Sequence, residues 1–105
     1  MMATNTPHEG AEVYTSDGHK IGKVIEVLTN EFFVEEGTLI KHTRAFRYDA
    51  LGTVTPERVT LTLDRDSVKG TWNEVTLQDK HGRDRHVIQV GVPHQIPTYD
   101  ELQTT

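Results

Sequence analysis

The stretch EVYTSDGHKIGKVIEVL, residues 12–28, places two β-prone runs on either side of Asp17-Gly18. The first run is Glu12-Val13-Tyr14-Thr15. The second, residues 20–28, is rich in β-branched side chains, which suit a pleated, half-buried surface. Asp-Gly between such runs is a strong tight-turn signal, because the favoured hairpin turns need the positive φ that glycine tolerates. The two runs therefore read as a hairpin. Gly22 falls inside the second strand, where a glycine marks a bend or bulge of the kind a small barrel uses to close.

Downstream, Thr29-Asn30-Glu31 turns the chain and Phe32-Phe33-Val34-Glu35 reads as a third strand. Glu36-Gly37 is a turn signal, and residues 38–41 are expected as a fourth strand. RAFRYD, residues 44–49, extends again with a less regular alternation. Thr55-Pro56-Glu57 sets proline where a turn favours it. The clearest strand follows: Arg58-Val59-Thr60-Leu61-Thr62-Leu63. There Val59, Leu61 and Leu63 share one face and the threonines the other, as in a half-buried antiparallel strand. Residues 64–70 (DRDSVKG) read as one helical turn, capped by Asp or Ser at its start and ended by Gly70. Residues 74–78 and 85–92 form a second hairpin around Lys80-His81-Gly82-Arg83.

No helical period persists, and short strands recur every 8–12 residues, so the class is all-β, a small antiparallel barrel or roll. Residues 1–10 read as a flexible N-terminal arm and residues 93–105, with two of the prolines, as a tail. The expected core is Val13, Ile21, Val24, Val27, Phe32, Val34, Leu39, Val59, Leu61, Leu63 and Val68.

Composition bounds the function. A chain of 105 residues suits one domain that buries roughly 60–65% of its unfolded surface, which excludes a two-domain enzyme with its own cofactor unit. Hydrophobic residues make up 34%, so the core is small. The absence of cysteine removes disulfides, thiolate metal sites and thiol catalysis. A net charge of −5 argues against sequence-independent binding to nucleic acid or an anionic membrane. No apolar run approaches a membrane span, and MMATNTPHEG lacks the charged and apolar regions of a signal peptide. No membrane insertion and a cytoplasmic location are the expectation.

The order of these features resembles the PRC-barrel family. The matching residues are Val13, Asp17, Gly18, Ile21, Gly22, Lys23 and Val24 in the opening motif, Arg58, Val59 and Leu61 in the last strand, and Asp66 and Val68 in the short helical turn after it. The resemblance runs over residues 11–72, leaving residues 73–92 as a C-terminal β-hairpin extension packed on the barrel. Where the family often has an Ile-Pro step before its last strand, this chain has Arg47-Tyr48-Asp49-Ala50-Leu51. The resemblance implies a binding or assembly module and no catalysis. The photosynthetic reaction-centre H subunit and the ribosome-maturation factor RimM carry such domains. Neither role transfers, because this chain has no membrane helix and is too short for RimM's additional domain.

The chemistry-bearing residues agree with that implication. Ser16 beside the Asp-Gly turn and Ser67 in the helical turn sit outside any Gly-x-Ser-x-Gly elbow and read as turn and cap chemistry. No phosphate-binding glycine motif is present. Of the six histidines, His81, His86 and His94 fall near the C-terminus, with His81 at the hairpin tip and His86 sharing a face with Ile88 and Val90. Strand alternation aims His81 and His86 apart, whereas zinc needs convergent ligands, so neither metal nor any other cofactor is expected. Asp64 and Asp66 flank Arg65 as capping charge, without the further oxygen ligands of a calcium loop.

Residues 41–48 (KHTRAFRY) interleave cations and aromatics. On a strand, Arg44, Phe46 and Tyr48 would point one way and Ala45 and Arg47 the other. Such a segment suits a plain strand with Phe46 in the core and the arginines in solvent, a protein interface or, less well given the acidic charge, base stacking on RNA. Phe33 must face away from Phe32 and Val34. It is either covered by the C-terminal hairpin or used to pair with a second copy. The expected function is a non-catalytic protein-interaction or assembly module, with a homodimer through strand edges or the Phe33 region as one form. Phe33, Lys41, Arg44, Phe46, Arg47 and Tyr48 are the candidate partner-binding residues. The alternative is an RNA- or ribosome-associated protein using residues 41–48.

Overall fold

The structure, a computed structural model, describes residues 6–70 and 73–90. The Asp17-Gly18 turn joins β1 (Glu12–Tyr14) to β2 (Lys20–Val27) as an antiparallel hairpin. Thr15 Oγ1 donates to Asp17 Oδ1 at 2.5 Å inside the turn. The same Asp17 oxygen accepts the Arg65 N–H at 3.1 Å, tying this turn to the helical segment 48 residues on. The chain continues through β3 (Glu31–Glu36), β4 (His42–Arg47), a 3-10 turn over Tyr48–Ala50, β5 (Leu51–Val54), β6 (Arg58–Leu61), α1 (Arg65–Lys69), β7 (Asn73–Gln78) and β8 (Asp84–Val90). Asp64 caps α1, its side chain accepting the Ser67 N–H, and Gly70 ends it. Both roles follow from the sequence. No described helix is long and apolar enough to cross a membrane.

All eight strands form one sheet in the order β5-β6-β1-β2-β3-β4-β8-β7. The all-β class holds, but the sheet is mixed where an antiparallel one is expected. β1 runs parallel to β6 (Val13 opposite Val59) and β4 runs parallel to β8 (Phe46 opposite Val90). Parallel neighbours need long crossover connections, and here the intervening strands supply them. Alternation along one strand says which face is apolar and nothing about which distant strand lies beside it.

Each face of the sheet carries its own apolar cluster. The larger gathers Val13, Ile21, Val24, Phe32, Val34, Phe46, Val59, Leu61 and Val90 from six strands, with Val68 of α1. Phe32 and Phe46 stack there with centroids 5.6 Å apart, and Tyr48 tilts against Phe32 at 5.7 Å. On the other face Phe33, Ala45 and Val87 are buried, with Ile25, Leu28, Val75 and Leu77 packed against them. Burial under the β7–β8 hairpin is thus the fate of Phe33. The hairpin tip is fastened at two points, the Lys80 N–H donating to Glu26 Oε2 at 3.3 Å and Lys80 Nζ pairing with Glu9 at 2.7 Å, and within the tip Asp79 Oδ1 accepts the N–H groups of His81 and Arg83, each at 2.9 Å.

Two bulges in β2 let one strand serve both clusters. Val13 lies opposite Gly22 and Tyr14 opposite Lys20, leaving Ile21 as an extra residue; Ile25 is extra between Val24 and Glu26. An inserted residue reverses the side-chain alternation beyond it. Ile21, Val24 and Val27, spaced by three, therefore all turn to the first cluster, while Ile25 reaches the second.

Of the expected core, Val27 and Leu63 are partly buried, and Leu39 is in solvent at 96% exposure. The strand expected over 38–41 is a loop. Pairing Phe32 with Phe46 sets Glu36 opposite His42, which leaves residues 37–41 to connect them. β5, over Leu51–Val54, is a strand beyond those expected from the sequence. The arm expected over 1–10 lies in part, and the tail over 93–105 wholly, outside the described residues.

Candidate interaction surface

The six candidate residues of β3 and the 41–48 segment do not form one surface. Phe33 and Phe46 are both at 0% exposure, in opposite clusters, because β-strand alternation sends neighbours to opposite faces and both faces here are covered. Arg44 is held at 9% exposure. Tyr48 is half-buried against Phe32, its hydroxyl donating to the Leu28 carbonyl oxygen. Lys41 and Arg47 remain exposed, at opposite ends of β4. The plain-strand reading holds for Phe46 and Arg47 but not for Arg44, and the assignment of Phe46 and Tyr48 to a partner-binding face is corrected: both rings pack in the first cluster and offer nothing for a base to stack on.

What β3 and β4 do present is the loop between them. Gly37 adopts φ +108°, and a Cβ there would stand 2.1 Å from the Ile40 carbonyl oxygen, so only glycine lets the chain double back so tightly. The turn projects Leu39 and Ile40 into solvent at 96% and 74% exposure, the two exposed large aliphatics among the described residues. Lys41 follows, with Nζ 3.8 Å from Glu35 Oε1. The sequence signal for this loop was available: the Phe-Phe and Phe-Arg runs align only if 37–41 are left over, but a β-prone Thr-Leu-Ile reads as strand when taken alone.

The base of this hairpin is fixed by an ionic cluster. The Glu36 carboxylate receives Arg44 Nη1 at 2.5 Å and Lys69 Nζ at 2.9 Å, joining β3, β4 and α1. Burial pushes the Glu36 carboxyl up, but hydrogen bonds from Lys69 and Arg44, with their charges, outweigh it and hold the group below its ordinary 4.5. A carboxyl lowered by folding stabilises the native state fully above its unfolded value and loses that contribution as pH falls through the lower folded value. Glu36→Ala is expected to cost about 2 kcal/mol, less than a fully buried pair because Glu36 keeps some solvent contact. Urea titrations from pH 7 down to pH 3 check this: the wild type loses stability below about pH 4.5, and the gap to Glu36→Ala narrows there.

Beside the hairpin base lies an open groove of about 690 Å³, lined by Gly10, β2 residues Lys20 to Ile25, and Glu35 to Thr38. A smaller cleft of about 220 Å³ lies where β4 and β8 diverge. His42 and His86 line it, and His86 Nε2 sits 3.1 Å from Glu74 Oε1 across the β7–β8 hairpin. Among the described residues no group of three or more His, Asp or Glu converges as a metal site would require.

Compared with known proteins, the chain matches no family model, no curated protein and no solved structure.

Proposed function

We propose that the chain is a protein-interaction module of PRC-barrel type that engages its partner through the β3–β4 hairpin tip. The exposure of Leu39 and Ile40 carries this reading. Two adjacent large aliphatics in water gain about 1.5–3 kcal/mol each on burial, and the hairpin base holding them is already ordered by Glu36, Arg44 and Lys69. The order of elements supports the PRC-barrel resemblance: an Asp-Gly hairpin, a strand with Val59 and Leu61 inward, then a helical turn burying Val68. A binding module is the function that this arrangement supports.

Replacing Leu39 and Ile40 together by serine is expected to change folding stability by less than about 0.5 kcal/mol, since neither side chain contributes to a core. A urea titration checks that, and so separates loss of binding from loss of fold. The reading itself is tested by placing a photo-crosslinking benzophenone amino acid at position 39, or at exposed Asp49 as a control, in cells of the native host. Protein adducts at 39 that are absent at 49 support it. No adducts, or the same adducts from both positions, overturn it.

A further inference from the structure

We infer that β7 is the strand by which two copies of this chain join, edge to edge and antiparallel about a two-fold axis at Thr76. This surface is separate from the hairpin tip, so the inference goes beyond the reading above and is tested apart from it. Among the described residues β5 and β7 end the sheet, and a strand at the end of a sheet keeps a row of main-chain donors and acceptors without strand partners. β5 is blunted: it has four residues, and its register with β6 shifts around Gly52. β7 has six residues in unbroken register with β8, and neither proline, bulge nor basic side chain guards it. Its one charged side chain, Glu74, already lies 3.1 Å from His86 Nε2.

The turn beyond β7 shows which of its groups face outward. The Asp79 N–H donates to the Arg83 carbonyl oxygen at 2.8 Å, closing the β7–β8 ladder. Bonding direction alternates along an antiparallel strand, so Leu77, Val75 and Asn73 also turn their main-chain groups toward β8. Glu74, Thr76 and Gln78 turn theirs to the free edge. With the axis at Thr76, Thr76 meets Thr76 of the other copy, and each Glu74 meets a Gln78. Every such pair exchanges two hydrogen bonds, about six in all, and no outward group is left over.

The side chains select the same register. Val75 and Leu77 are half-buried on the face of the second cluster, and each Val75 here lies opposite a Leu77. The second clusters of the two copies thus become one apolar layer. A slip of one residue sets these aliphatics against the polar face. A slip of two sets Asn73 opposite Leu77 in one direction and Asp79 opposite Val75 in the other. An open edge accepts any extended peptide; a second copy is the occupant because β7 matches its own reversal in bonding direction, apolar face and charge.

The pairing is short and joins two chains of net charge −5. The dimer is therefore weak, with a dissociation constant on the order of 10⁻⁴ M, and added salt tightens it by screening. Sedimentation of the purified full chain between about 10 μM and 1 mM is expected to show a monomer–dimer equilibrium. Thr76→Pro removes an outward donor and leaves the β8 ladder intact, while Thr76→Glu sets two carboxylates opposite each other on the exposed face. Each is expected to weaken the dimer at least about 10-fold, whereas Leu39→Ser with Ile40→Ser leaves it unchanged. Unchanged melting curves establish that the variants are folded; if proline lowers the melt, the glutamate variant decides. The chain has no cysteine, so introduced ones report the register. Under oxidised glutathione, Thr76→Cys forms a disulfide dimer, Glu74→Cys alone does not, and Glu74→Cys mixed with Gln78→Cys does.

A chain that stays monomeric at 1 mM, a dimer indifferent to both Thr76 variants, or equal disulfide formation at 74 and 76 overturns the inference. So does a dimer lost in the Leu39 and Ile40 double variant but kept in both Thr76 variants, which moves self-association to the hairpin tip. A monomer that still crosslinks from position 39 to a host protein ends the β7 dimer and leaves the interaction reading standing.

Discussion

Phe33→Ala is expected to lower stability by about 3–5 kcal/mol, the range for emptying a buried aromatic site. The ring is at 0% exposure, and Ala45, Val87, Ile25, Leu28, Val75 and Leu77 pack around its cluster. Among the described residues it is the only aromatic ring in that cluster, so no described neighbour of similar size can collapse into the void. For a single domain with a total stability of about 5–15 kcal/mol, this is a large fraction. The damage should be local first. Because the second cluster is what seats the β7–β8 hairpin on β2, β3 and β4, amides of residues 73–90 should lose hydrogen-exchange protection before those of β1 and β6. A urea titration reads the total loss, and exchange detected by mass spectrometry reads its location. A loss below about 1 kcal/mol would mean that Phe33 is not core. An acidic residue at 33 would unfold the chain, so it is no probe of association.

Gly22→Ala is expected to cost about 3–5 kcal/mol, combining an unfavourable backbone conformation with overpacking. The residue sits at φ +146°, and an added Cβ would lie 2.3 Å from the Glu35 carbonyl oxygen and 2.9 Å from its carbon. Backbone atoms in the centre of a sheet cannot swing aside as a side chain would. The clash must be relieved by separating β2 from β3, the pair on which both clusters depend. Lys23→Ala, at the adjacent exposed position, is expected to stay within about 0.5 kcal/mol. Comparable thermal melts for the two variants would show that the bulge at Ile21 and Gly22 is dispensable.

Local features were legible wherever they rest on near neighbours in the chain. The Asp17-Gly18 turn, the inward set of Val59 and Leu61, the Asp64 cap and Gly70 end of α1, and the hairpin around residues 80–83 all depend on dihedral preference, alternation and short-range hydrogen bonds. Those terms act within a few residues and can be read directly from the sequence. The candidate surface was harder. Phe33 and Phe46 have the same composition signal whether they face solvent, a partner or a second core, and Leu39 looks like strand until the strand pairing is known.

The amino-acid pattern alone sets the β class, the places of most turns and the acidic charge of this chain. Tertiary contacts set the two parallel pairings, the second cluster beneath the C-terminal hairpin, the burial of Arg44 with Glu36, and the release of Leu39 and Ile40 into solvent. The division has one physical cause. Alternation marks which side chains leave water together, while the strand that lies opposite is chosen by the packing and ion pairing of residues tens of positions away, and that choice leaves no local mark.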